Sequence, residues 1–117
     1  MEKKFFGNTP QGESFLYTLE NRNGLKAEVS NFGAVLVNLF VPDKDGKTVD
    51  VVLGYDNVSG YINGGSFLGA TVGPSANRVK DAKFVIDGVT YVLDANDGKN
   101  NLHSHLQVAF HKKIWDV

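Results

Sequence analysis

Alternation of apolar and polar residues with a period of two, broken at short intervals by turn residues, restricts most of this chain to β-strands. Leu25, Ala27 and Val29 alternate with Lys26, Glu28 and Ser30, the pattern of a strand with one buried face. Ser14 to Asn21, rich in aromatic and branched residues, precedes it. Asn23-Gly24 joins the two runs, and both residues tolerate the positive φ of a tight hairpin. Val35, Val37, Leu39 and Val41 alternate again, with Leu36 and Phe40 on the other face, so this strand is expected to be covered on both sides. Pro42 to Gly46 reads as a turn, because Pro fixes φ and Gly supplies a left-handed residue.

Further strands are expected over residues 49–55 and, interrupted by glycine, over 66–73, with a loop at 56–65 between them. Residues 84–93 form the clearest hairpin, with Asp87-Gly88 at its tip, and 94–101 reads as a polar loop. No window of helical length shows a 3.6-residue period, and no repeat is apparent. The expected class is all-β. Phe15, Tyr17, Phe32, Phe40, Phe67, Phe84 and Tyr91 sit at strand positions and are expected in the core. Tyr55, Tyr61 and Trp115 have a stronger claim to exposure, with core still favoured. Ile114 to Val117 alternate like the opening of another strand, with no turn or polar tail behind it, so truncation is the expectation there.

Twelve basic and thirteen acidic residues give a net charge of -1, without blocks of one sign, so no nucleic-acid or anionic-membrane partner is expected. The absence of cysteine excludes disulfides, thiolate zinc sites and cysteine nucleophiles. Met1 to Gly7 carries charge without an apolar stretch behind it, and the longest apolar run, Ala34 to Val41, is too short to span a bilayer. A soluble cytoplasmic protein is the expectation. Asn57-Val58-Ser59 matches the glycosylation triplet and is read as a polar loop.

His103, His105 and His111 are the three histidines. His103 and His105 would share one face of a strand, yet a structural zinc site wants four ligands, and only Asp97 and Asp116 lie nearby. One histidine in sugar binding is the better reading, and no metal is expected. Arg78 follows Asn77, and a guanidinium beside a carboxamide suits vicinal hydroxyls or a ring oxygen, since both make directional hydrogen bonds. Spacing alone leaves open a surface arginine that caps a loop. Gly64-Gly65-Ser66 and Gly69 lack the dinucleotide and phosphate-loop patterns, and no helix follows them, so no cofactor is expected.

In order along the chain, these pieces resemble the galactose mutarotase (aldose 1-epimerase) family. Asn31-Phe32-Gly33-Ala34 with Val41-Pro42-Asp43 is similar to its "N-x-G-A … V-P-D" segment. Asp50 to Asp56 with Gly60-Tyr61 resembles "D-V-V-L-G-(F/Y)-D … G-Y". Phe67 to Gly73 with Ala76-Asn77-Arg78-Val79 resembles "(Y/F)-x-G-A-x-x-G-R-x-A-N-R-I". Asn101-Leu102-His103 is similar to "N-x-L-H", and Lys112 to Trp115 to "K-x-x-W". Pro74 stands where the family has the first Arg, and Ser104 to Phe110 is more apolar and one residue longer than the usual step.

The resemblance implies an antiparallel β-sandwich, here residues 1–117 as its N-terminal part, incomplete at the C-terminus. It implies interconversion of α and β anomers of a free aldohexose by general acid–base ring opening, without metal or cofactor. By position, Asn77, Arg78 and His103 are the implied sugar-binding residues, His103 assisting catalysis. The family's acid His, sugar-binding Asp and base Glu have no counterpart here, so the piece is expected to be inactive alone. The alternatives are a non-catalytic carbohydrate-binding module, an inactive remnant, and a hexose-6-phosphate 1-epimerase. The last would want a basic cluster, and only Lys80 and Lys83 lie near Arg78.

Overall fold

In the computed structural model, which describes residues 1–117, the alternating segments form a five-stranded antiparallel meander. Its strands are β1 (Glu2–Thr9), β2 (Gly12–Glu20), β3 (Lys26–Ser30), β4 (Val35–Pro42) and β5 (Thr48–Asp50), adjacent in that order. The hairpin turns are held by side chains. Asn21 Oδ1 accepts from the Asn23 and Leu25 amides at 2.9 and 3.0 Å, closing the turn that Gly24 permits. Asp43 Oδ1 accepts from Asp45 and Lys47, both at 2.9 Å. Such Asx turns satisfy backbone donors where the ladder ends.

Two strands differ from expectation for identifiable reasons. β1 carries no readable alternation because its register shifts between Phe5 and Gly7. Phe5 is exposed and its neighbour Phe6, on the opposite face of the pleat, is buried. β5 stops at Asp50 rather than continuing to Tyr55, because the Asp50 side chain takes over the ladder. Its Oδ1 accepts from Leu39 N at 2.9 Å and Val52 N at 3.2 Å, and its Oδ2 from the Asn38 amide at 2.6 Å. The Leu39 bond, with those from Asn38 and Val52, holds the Asp50 carboxyl below the usual carboxylate range.

One face of the meander carries the core: Phe6, Leu16, Phe32, Val35 and Val37, joined by Val58 and Tyr61. The last two lie on a six-residue helix, α1 (Val58–Asn63), where a loop was expected. Fewer than two turns cannot display a period, so the helix is invisible to pattern reading. Its marks are local: Asn57 caps it, accepting from Gly60 N at 3.3 Å, and Val58 and Tyr61 sit three apart on its buried side. The glycosylation-like triplet is therefore a helix start. Beneath the strands, Ser14 and Ser30 are buried and share a 2.9 Å hydroxyl hydrogen bond. Buried Asn31 accepts from Phe15 N at 2.8 Å, which satisfies polar groups that would otherwise be stranded in the core.

Residues 66–73 do not pair as a strand. They cross β4 with Phe67 and Gly69 at φ of 50° and 59°, and the Gly69 carbonyl accepts from Leu36 N at 2.9 Å. Beyond them lie two small ribbons, β6 (Arg78–Val79) with β9 (Asn101–Leu102), and the expected hairpin of β7 (Lys83–Ile86) with β8 (Val89–Val92). That hairpin projects from the body, so Phe84 and Tyr91 are exposed rather than in the core, while Tyr61 is buried. Ile114 is not left unpaired: it bridges Phe32, and Trp115 N donates to Asn31 O at 2.8 Å. The class is all-β as expected, and no helix is long and apolar enough to cross a membrane.

Gly69 permits no side chain. A Cβ there would overlap the Leu36 carbonyl, and its positive φ is strained for any other residue. Gly69→Ala is expected to lower stability by about 1–3 kcal/mol. A shift of the urea midpoint, read by tryptophan fluorescence, would check this.

Candidate sugar-binding site

Arg78 and His103 are brought together by the shortest possible sheet. In the β6–β9 ribbon Arg78 pairs with Leu102 and Val79 with Asn101, which places Asn77 beside His103. The two residues then clasp each other. His103 N donates to Asn77 O at 3.1 Å, and Asn77 N donates to His103 Nδ1 at 3.0 Å. An Nδ1 that accepts carries no proton, so the neutral ring holds its proton on Nε2 and presents that nitrogen as a donor. Asn77 and His103 have φ of 56° and 54°, a left-handed conformation that Asn and His accept more readily than most residues.

The loop after β9 is tied down by two side-chain amides and a hydroxyl. Asn101, fully buried, donates to Asp94 O at 2.7 Å and also to Ser104 O. Asn96 accepts from Leu102 N at 2.6 Å and donates to Leu102 O at 2.9 Å. Ser104 Oγ accepts from Ser75 N at 2.7 Å and donates to Ser75 O at 2.8 Å, joining this loop to the segment that follows the cis Gly73–Pro74 bond. His103 is thus fixed from both sides in the chain.

Arg78 is mostly exposed and aimed by an acid. Its Nε donates to Asp97 Oδ2 at 2.7 Å, with side-chain exposures of 59% and 35%. Engaging Nε leaves the Nη groups to reach outward. Asp97 lies nineteen residues away in the polar loop, and nothing in its spacing marks it as the partner of Arg78. Nearby, Lys99 pairs with Asp81 at 3.2 Å.

Phe67 extends the site to a second histidine. Its ring packs against His103 at 5.0 Å and His111 at 4.8 Å between centroids, so one phenyl ring separates two imidazoles. His111 is buried, and its Nδ1 has no hydrogen-bond partner. Burial holds it below the usual histidine range, and the positive charge of Lys112 and the neighbouring His103 push the same way. His105 turns elsewhere: its Nδ1 accepts from Gln107 N at 3.0 Å and its Nε2 lies 3.9 Å from Asp94. The paired face imagined for His103 and His105 does not form. On the other side of Phe67 opens a cavity of about 290 Å³, lined by Tyr55, Tyr61, Leu68, His111 and Lys112 among others. Asn77, Arg78 and His103 lie outside its wall, so this hollow and the cluster of polar donors are neighbours rather than one site.

The family model described as aldose 1-epimerase matches residues 16–117, a span that contains the whole arrangement. The chain belongs to the aldose 1-epimerase family. It is 34% identical to galactose mutarotase of Bos taurus over 111 residues, 94% of this chain and 32% of the relative. It is 32% identical to aldose 1-epimerase of Escherichia coli over 109 residues, 92% of this chain and 31% of the relative. Among solved structures, an aldose epimerase homologue from C. elegans superposes with a TM-score of 0.80 at 35% identity, covering 88% of this chain and 31% of that one. Galactose 1-epimerase from Lactobacillus acidophilus does so with a TM-score of 0.78 at 27% identity, covering 98% and 32%. The chain therefore spans about a third of the length of these family members.

His111 gives the site a pH signature. Its pKa is lower in the folded than in the unfolded chain, so below the unfolded value the unfolded state binds the extra proton and gains. Stability should be full above about pH 6.5, fall as pH drops below it, and level off beneath the lowered folded pKa. Urea midpoints measured from pH 7.5 to 5 should show this slope, and His111→Gln should flatten it.

Proposed function

We propose that this chain supplies the sugar-binding wall of an aldose 1-epimerase acting on a free aldohexose such as galactose or glucose, as the N-terminal part of the sandwich domain. The observation that carries the reading is the clasp between Asn77 and His103, which leaves His103 Nε2–H free as a donor beside the ribbon that carries Arg78, whose guanidinium Asp97 orients. An imidazole N–H and a guanidinium, both directional donors, suit the ring oxygen and a neighbouring hydroxyl of a pyranose. Names of the related proteins, galactose mutarotase and aldose 1-epimerase, agree with that chemistry.

In this reading a base takes the proton from the anomeric hydroxyl while an acid protonates the ring oxygen. The ring opens, the C1–C2 bond rotates, and the hydroxyl at C5 adds to the other face of the aldehyde. Arg78 and His103 hold the sugar and its ring oxygen in register through these steps. The principal acid and base are proposed to come from the two-thirds of the family's length that this chain does not span. A proton-transfer group is worth about 10²–10⁴-fold in rate, so this chain by itself should bind sugar without accelerating anomerisation.

Arg78 and Lys99 are each already paired with a carboxylate, which favours a neutral sugar over a phosphorylated one. The same cluster also suits a second reading, a carbohydrate-binding module without catalysis, and one experiment separates the two. Galactose titrated into the isotope-labelled chain should shift the His103 and Asn77 resonances saturably. Arg78→Ala should weaken binding about 10-fold or more, from the loss of charge-assisted hydrogen bonds. Polarimetry with freshly dissolved α-galactose should then show no catalysis by this chain and catalysis once it is joined to the rest of a family member. Binding without catalysis in the joined form would leave the module reading standing, and absence of binding would end both.

A further inference from the structure

The cavity beside Phe67 is walled for an apolar guest and carries one permanent charge. Tyr55, Tyr61 and Phe67 supply rings, and Val35, Leu68 and Leu106 supply aliphatic surface. Its volume is about 290 Å³, whereas an apolar cavity of about 150 Å³ takes up benzene, so a ring with a short polar arm fits. Leu106 and Gln107 belong to the segment Ser104 to Phe110, whose apolar character the sugar site does not use. The wall holds Lys112 but no Asp or Glu. His111, in the same wall, is held uncharged near neutral pH by its burial.

An ammonium drawn partly out of water ordinarily meets a carboxylate, because an unpaired charge away from water is costly. Lys112 does not. Its Nζ donates to the Tyr61 and Ile62 carbonyls at 2.9 and 2.8 Å, and it forms no ion pair with any Asp or Glu of the chain. Two carbonyls use two of its three N–H groups, which leaves one donor uncommitted. Burial lowers its pKa, with no anion to oppose the shift. We infer that the cavity is a binding site for a small monocarboxylic acid with a flat apolar body, its carboxylate paired with Lys112 and its ring among Tyr55, Tyr61 and Phe67. The rings supply buried area and preferred stacking geometry. The charged hydrogen bond fixes orientation, and apolar surroundings strengthen it relative to water. A neutral guest would leave the ammonium without a counterion, and a dianion would bring a second charge with nothing to meet. His103 packs on Phe67 outside this wall, so the acid and the sugar occupy separate places.

Phenylacetate is the probe, titrated into the isotope-labelled chain and followed by amide chemical shifts. Binding should saturate with a Kd of about 1 mM or tighter, the range open to a ligand of about ten non-hydrogen atoms. The shifts should centre on Tyr61 to Gly65, Leu106, Gln107 and Lys112. Phenylacetamide has the shape without the charge, and acetate the charge without the ring. Each should bind about 10-fold more weakly or worse. Lys112→Gln should weaken phenylacetate by a similar factor, whereas Arg78→Ala should leave its Kd unchanged. Lys112 also holds α1, so if Lys112→Gln does not fold, the acid and amide compared on the unaltered chain decide the matter. No saturation by about 20 mM phenylacetate would overturn the proposal. Equal affinity for acid and amide would do so too, since the cation would then play no part. Loss of binding in Arg78→Ala, with shifts at Asn77 and His103, would place the acid at the sugar site and overturn it as well. Galactose is titrated separately: its failure to bind while phenylacetate still does counts against the sugar site alone.

Discussion

The Lys112 ammonium is the tie on which the site side of the molecule depends. Its Nζ donates to Tyr61 O at 2.9 Å and Ile62 O at 2.8 Å, two carbonyls that a six-residue helix cannot satisfy from within. Burial lowers the Lys112 pKa, and carbonyl oxygens around the ammonium offset part of that cost. Through this contact α1 is fixed to the 3-10 turn at Phe110–Lys112, and both are fixed to the core that α1 covers.

From that tie the arrangement follows by contact. The turn carries His111, whose ring packs on Phe67, and Phe67 in turn packs on His103. Gly33 lies directly against the His111 backbone, and its amide donates to Lys113 O at 2.7 Å, so the sheet reaches the same turn from the other side. The sheet is thus the reference frame, α1 and the turn transmit it, and the β6–β9 ribbon receives it at Asn77 and His103. Polar side chains do the last part of the positioning. Asn96, Asn101 and Ser104 replace the ladder where the strands are only two residues long.

The functional consequence is a division between rigidity and openness. His103 and Asn77 are clasped by two hydrogen bonds, and Arg78 is oriented by Asp97, yet the guanidinium stays largely exposed. A recognition surface needs donors that are fixed in direction but not already consumed. The hairpin beyond this ribbon shows the opposite balance, with good internal pairing and almost no burial. It is well formed as local structure and incomplete as packing.

The sequence by itself determined the all-β class, the long strands β2 to β4, the turns at Asn23-Gly24 and Asp87-Gly88, and the family through its ordered motifs, because these depend on local alternation and local backbone preference. It also put Asn77, Arg78 and His103 forward, through the family resemblance rather than through spacing. It missed β1, where a bulge erases the period, and α1, which is too short to have one. It overextended β5, because a side chain, Asp50, ends the ladder. Only the tertiary structure decided that Asp97 orients Arg78, that Phe67 sits between His103 and His111, and that Phe84 and Tyr91 are outside the core. Those are contacts between residues far apart in the chain or choices of which face is covered. Neither is written in the local pattern, because burial is a property of what packs against a strand and not of the strand itself.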